Sequence, residues 1–244
     1  MRGKIIMDFQ KMRSIPIKNK ELLSILDRFV RVRTYNEEAF TKYMHCAGSQ
    51  HSDADKAKFV SDEYLHEIMS MGEDHGGFPE TMHGHEMRMC NREHQFFKRT
   101  IPKTPDEISY RSEVMSKLQD SQEDIMTWLG CRNNALSAVY PPSGFISWHN
   151  NANAAAWNLI FTYSETGDGY FKYWDTEKKE IVYMHDEPGW QCKAGYFGHY
   201  GEPDKLLYHA AATKCWRHTV SFCFDRSETS EFMREDIIDE ISSE

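Results

Sequence analysis

The chain changes character once, close to residue 133, and that change limits what it can fold into. Before it, apolar residues recur at helical spacing. Leu22, Leu23, Ile25, Leu26, Phe29 and Val30 share one face, with Asn19 placed to cap it. Residues 53–70 repeat the pattern through Phe59, Leu65 and Ile68. Thr104-Pro105-Asp106-Glu107 combines a capping hydroxyl, a proline in the first turn and a glutamate three residues after the cap. Ile108, Val114, Met115, Leu118, Ile125, Met126 and Leu129 continue that helix as an apolar stripe. Residues 72–95, rich in Gly, His and Met, read as a long loop. From 133 to 224 the pattern is short strands and turns. Ala135–Tyr140, Phe145–Asn151, Ala156–Tyr163, Tyr170–Trp174, Lys179–Met184, Leu206–His209 and Trp216–Phe224 are the predicted strands. Pro141-Pro142-Ser143-Gly144, Gly167-Asp168-Gly169 and the Gly195–Gly198 region are the predicted turns. Helices first and strands afterwards predict an α+β fold, with helices packed on one face of an antiparallel barrel or jelly roll.

Composition narrows the setting. The 244 residues are 40% hydrophobic and 13% aromatic, enough for a substantial core. No apolar run is long enough to span a bilayer, and the N-terminus lacks the apolar stretch of a secretory signal. Six cysteines are scattered without CxxC pairs, which reads as reduced thiols in a cytoplasmic protein. The net charge is −9, most of it in residues 225–244, a predicted acidic amphipathic helix with Phe232, Met233, Ile237, Ile238 and Ile241 as its apolar positions. With no basic stripe, there is no strong nucleic-acid signature.

Within the strand region lies a spaced polar set. His149-Asn150-Asn151 ends one predicted strand, His209 follows 60 residues later, and Arg217-His218-Thr219 opens the last strand eight residues further on. Residues i and i+2 of a strand share a face, so His149 goes with Asn151 and Arg217 with Thr219 and Ser221. Two neutral imidazoles can hold a metal, and a guanidinium beside a hydroxyl can fork onto a carboxylate. Each residue alone has an ordinary reading: a hydrogen-bonded histidine, an ion-paired arginine, a β-forming threonine. Their convergence makes the site. His83-Gly84-His85, with His75, Cys90 and His94 nearby, matches no closed zinc spacing and reads instead as a loop over the barrel mouth that contacts substrate. Asp168, the nearest downstream acid, sits in a Gly-Asp-Gly turn.

On these residues the pattern resembles the Fe(II)/2-oxoglutarate-dependent oxygenase superfamily, nearest its small prolyl-4-hydroxylase-like members, many of them phage-encoded. The resemblance covers about residues 133–224. It implies a double-stranded β-helix core (jelly roll, cupin-like) over residues 133–224. An N-terminal helical layer and substrate-loop region would span 1–132, and an acidic tail 225–244, in a single domain. It implies Fe(II), 2-oxoglutarate and O2 as cofactors. His149 and His209 would be metal ligands, Arg217 and Thr219 would hold the far carboxylate of 2-oxoglutarate, and Tyr140 would reach the same carboxylate. The implied reaction hydroxylates a substrate C–H bond and releases succinate and CO2. The chain departs from the family at Asn151, where an aspartate or glutamate ligand is usual. Asn151 would bind iron weakly or through water, or two histidines would suffice, or the gap would admit a halide as in halogenases. A non-catalytic cupin-like binder that lost iron with the acid, and a barrel used only as a scaffold, are the rivals. The substrate class stays open: protein side chain, small metabolite or nucleobase. Host-cell cytoplasm is the expected location if the chain is phage-encoded.

Overall fold

The helices form where caps and apolar stripes coincide. The computed structural model describes residues 12–44, 52–71, 84–85, 87–88, 102–131, 133–152, 155–224 and 231–244. Helix α1 (Lys20–Thr34) starts at Asn19, whose side chain accepts the Leu22 amide at 3.0 Å. Leu22, Leu26, Phe29 and Val30 are its buried stripe. Short α2 (Glu37–Tyr43) follows. The single helix expected over 53–70 is two, α3 (Asp53–Phe59) and α4 (Asp62–Ser70). Ser61 breaks the run because its hydroxyl caps a new helix at the Tyr64 amide. The start at Thr104 is as expected: α5 (Pro105–Leu129) is capped by the Thr104 hydroxyl, and Glu107 accepts the Lys103 amide at 2.9 Å. Ile108, counted in its stripe, is exposed. Helix α6 (Glu231–Ser242) turns Ile238 and Ile241 into the main core, and the Ile241 carbonyl accepts the Lys18 amide.

Eleven strands are described: β1 (Arg13–Ile15), β2 (Gly84–His85), β3 (Met87–Arg88), β4 (Asn133–Tyr140), β5 (Phe145–His149), β6 (Ala156–Ser164), β7 (Gly169–Asp175), β8 (Glu180–His185), β9 (Gly189–Phe197), β10 (His209–Thr213) and β11 (Arg217–Phe224). They form two sheets, ordered β1-β9-β6-β11-β4-β3 and β2-β5-β10-β7-β8, with every pairing antiparallel. From β4 to β11 the chain alternates between the sheets, apart from the β7-β8 hairpin. Eight strands wound in this way are a double-stranded β-helix, the jelly roll anticipated from the residues.

Side-chain alternation makes the layers. On β6, Trp157, Leu159 and Phe161 join Leu26, Phe29, Val114, Leu118 and Ile125 in the core between the six-stranded sheet and the helices. Burying one such Leu or Phe is worth about 1.5–3 kcal/mol. Asn158, Ile160 and Thr162 point the other way, into the barrel. The outer face of the five-stranded sheet is covered by α4, whose Tyr64, Leu65 and Ile68 pack on Trp148, Tyr208 and Ala210.

Three expectations need correction. The Gly195–Gly198 region is the end of β9 rather than a turn. A Cβ at Gly195 would meet the Met12 side chain, which packs directly on this glycine. The strand expected at 206–209 begins only at His209, because a 3-10 turn over Pro203–Lys205 precedes it and the Ala210-Ala211-Ala212 run is drawn into the sheet by β5 and β7. Within the loop expected at 72–95, β2 and β3 add one short strand to each sheet. The proposed contacts of His75, His83, Cys90 and His94 lie outside the described residues. Among the described residues no helix is long and apolar enough to cross a membrane.

Candidate active site

The five-stranded sheet sets the two histidines side by side. β5 and β10 are neighbours, and His149 is the register partner of His209, with an irregularity in the ladder immediately after His209. Trp148 faces outward beneath α4, so His149 faces into the barrel. The two imidazoles are 4.1 Å apart, centroid to centroid. Each is tethered in the same way: His149 Nδ1 lies 2.8 Å from the Ser147 carbonyl and His209 Nδ1 2.9 Å from the Leu207 carbonyl. A carbonyl only accepts, so Nδ1 carries the proton in both rings and the lone pair is on Nε2, the nitrogen a metal would use. Phe171 and Phe197 pack around the His209 ring. Burial holds the His209 pKa down at about 4, which keeps the imidazole in its neutral, ligating form.

Asn151 follows directly. The strand ends in an Asx turn, with the Asn150 side chain accepting the Ala152 amide at 3.0 Å, and Asn151 remains on the wall of the cavity that His149 and His209 line. No cluster of three or more His, Cys, Asp or Glu residues suited to a metal occurs among the described residues. Asp168 is confirmed as a turn residue, exposed and bonded to the Thr166 hydroxyl.

The six-stranded sheet builds the other end. Arg217 pairs in register with Tyr140 on β4 and Ser164 on β6, and Thr219 pairs with Thr162. Alternation sends Arg217, Thr219 and Ser221 inward and His218, Val220 and Phe222 toward the helices, as expected. Arg217 is fully buried. Its Nε donates to Asp186 Oδ2 at 2.7 Å, one terminal nitrogen to the Thr219 hydroxyl at 2.7 Å, and the other lies 3.5 Å from the Thr162 hydroxyl. The Tyr140 ring lies beside the guanidinium, 5.4 Å from carbon to centroid. Asp186 Oδ1 also accepts from Lys193 Nζ at 3.3 Å. Burial works to raise the Asp186 carboxyl, but Arg217 and Lys193 more than reverse it and hold it below the usual aspartate range. Gly169 makes room for that carboxylate: a Cβ there would lie 2.6 Å from Asp186 Oδ2.

All six residues singled out from the sequence, Tyr140, His149, Asn151, His209, Arg217 and Thr219, line one narrow cavity of about 80 Å³, together with Asn158, Ile160, Phe171, Phe197 and Ser221. Asp186, Lys193 and Thr162 escaped the sequence reading. Asp186 stands in a His-Asp-Glu-Pro stretch that reads as an ordinary turn. Lys193 did leave a signal: Trp190, Cys192, Ala194 and Tyr196 form the apolar side of β9, so Lys193 must face the barrel.

The donors present fit a metal that accepts imidazole nitrogen and amide oxygen, and the two buried cations sharing one carboxylate fit an anion. No family model and no curated protein sequence matches the chain. Among solved structures, a Pseudomonas putida prolyl-4-hydroxylase is similar at 12% identity and a TM-score of 0.40, over 88% of this chain and 92% of that one. A full-length Neurospora crassa protein solved with alpha-KG is similar at 7% identity and a TM-score of 0.32, over 88% and 75%. The rice dioxygenase for auxin oxidation gives 8% identity and a TM-score of 0.30, over 90% and 76%.

Proposed function

We propose that the protein is an Fe(II)- and 2-oxoglutarate-dependent dioxygenase that hydroxylates a C–H bond. The observation that carries this reading is the joint placement, in one cavity, of two tautomer-fixed imidazoles and a buried guanidinium whose pocket holds one surplus positive charge. His149 and His209 would hold the metal through Nε2, with Asn151 offering at most a neutral amide oxygen. Fe(II) bound there would supply activation of O2 coupled to decarboxylation of 2-oxoglutarate to succinate and CO2. The Ser147 and Leu207 carbonyls fix the imidazole planes, so no reorganisation is needed on binding. Arg217 and Thr219 orient the far carboxylate, with Tyr140 closing the wall over it. Phe171, Phe197 and Ile160 exclude water around the reacting end.

Asn151 favours a second reading, a cupin-like binding protein without catalysis, because an amide brings no charge to offset the metal. Succinate decides between them. The full chain incubated in air with Fe(II), ascorbate and 2-oxoglutarate should release succinate slowly even without its substrate. The His209→Ala variant should release none. Absence of succinate from the wild type, with candidate protein, metabolite and nucleobase substrates added, would leave only the binding reading. A reducing compartment such as the cytoplasm suits the Fe(II) this proposal invokes.

A further inference from the structure

Three charges meet inside the barrel, all with side chains at most 2% exposed: Arg217, Lys193 and Asp186. One carboxylate is shared between two cations. Asp186 directly follows the last residue of β8 in the connection to β9, and its backbone amide donates to the Gly169 carbonyl at 2.9 Å, which fixes where its side chain enters the barrel. Arg217 approaches one oxygen from β11 and Lys193 the other from β9. The ammonium also lies 3.5 Å from the Gln191 side-chain oxygen. Neither Asp186 nor Lys193 is among the residues lining the cavity, whereas Arg217 is.

A lone Arg217–Asp186 pair would be neutral, and a neutral pair has little electrostatic pull on a carboxylate. A surplus buried charge is strongly disfavoured unless something answers it. We propose that Lys193 and Asp186 are positioning residues that reserve Arg217 for an anion. Lys193 neutralises Asp186 from behind, Asp186 holds the guanidinium in place through Nε, and the remaining positive charge selects a ligand with a second carboxylate at its far end. This rests on the co-substrate reading above and deepens it: Lys193 and Asp186, which do not touch the co-substrate, set how strongly the site prefers a dicarboxylic oxo acid over the corresponding monocarboxylic one. The ordinary alternative is an ion cluster that merely staples β9 to β11.

Charge-matched variants separate the two. The probes are 2-oxoglutarate and 2-oxobutanoate, titrated calorimetrically into the Mn(II)-loaded full chain. Lys193→Met makes the cluster neutral, and 2-oxoglutarate affinity should fall by roughly 10-fold or more, the scale of a charge-assisted contact. Binding of 2-oxobutanoate should change little. Adding Asp186→Asn to Lys193→Met restores a surplus of one positive charge, and affinity should recover to within a few-fold of wild type. A staple predicts the reverse, with the double variant weaker than the single. Wild-type affinity in Lys193→Met, or no recovery in a folded double variant, overturns the inference alone. Failure of the wild type to bind 2-oxoglutarate overturns the co-substrate reading and this inference with it.

Discussion

Two buried arginines on opposite sides of the six-stranded sheet provide a controlled comparison. Arg217 faces the barrel. Arg33 lies on the helix side and donates to His218 Nε2 at 3.2 Å, Glu37 at 2.6 Å and Glu165 at 2.9 Å, with its guanidinium 4.9 Å from the Trp216 ring. Replacing either with methionine preserves the apolar stem and removes the charge. In Arg217→Met, Asp186 keeps Lys193, so no buried carboxylate is orphaned. In Arg33→Met the two glutamates are 52% and 41% exposed and can hydrate, and the main loss is the donor to the buried His218. Each change should therefore cost about 1–3 kcal/mol of stability, or about 2–10 °C in Tm for a chain of this size. Their effects on 2-oxoglutarate binding should diverge. Three of the five N–H groups of Arg217 are committed to Asp186, Thr219 and Thr162, which leaves two for a carboxylate. Truncating a buried charged partner costs on the order of 2–5 kcal/mol in affinity, or roughly 30-fold to several thousand-fold. Calorimetric titration with 2-oxoglutarate, beside thermal unfolding, measures both quantities. Arg217→Met binding within threefold of wild type, or Arg33→Met losing as much affinity as Arg217→Met, would refute the assignment of the anchor.

Asn151→Asp should tighten Fe(II) binding by about 10-fold or more, since an anionic oxygen replaces a neutral one beside the imidazoles; an unchanged anaerobic Fe(II) titration would mean that residue 151 does not reach the metal. His218 is held at a pKa of about 3 by burial and then by Arg33, against about 6.5 unfolded. The unfolded chain therefore takes up a proton that the native one refuses. Stability from this residue is complete above pH 6.5 and declines as pH falls toward 3, by up to about 1.4 kcal/mol per pH unit. Denaturant titrations of wild type and His218→Gln between pH 7 and 4 should show a shallower decline in the variant, and parallel declines would contradict the assignment. Gly169→Ala should cost about 1–3 kcal/mol by crowding Asp186 and Thr213, and an unaltered Tm would show that the close approach is not restrictive.

The site was legible in the sequence to the extent that strand alternation could place it. Arg217 with Thr219 follows from a two-residue period within β11; the strand expected to run to Asn151 ends at His149, so Asn151 lines the cavity from the turn beyond it rather than by alternation. Helix starts at Asn19 and Thr104 were readable because caps are local chemistry. What failed was non-local. The break at Ser61 weighs one capping hydroxyl against a continuous apolar pattern. The strand at His209–Thr213 consists largely of alanine and exists because β5 and β7 flank it. Asp186 gains its importance only when β9 and β11 bring Lys193 and Arg217 to its two oxygens, and no spacing rule connects those three positions.

The central claim is that His149, His209 and Arg217 bind Fe(II) and 2-oxoglutarate together. Mixing the full chain anaerobically with both and recording the visible spectrum tests it most directly. The expected result is a weak charge-transfer band that needs both components, disappears in His209→Ala, and in Arg217→Met appears only at much higher 2-oxoglutarate concentration. No band in wild-type protein that is folded and saturated with both components would contradict it.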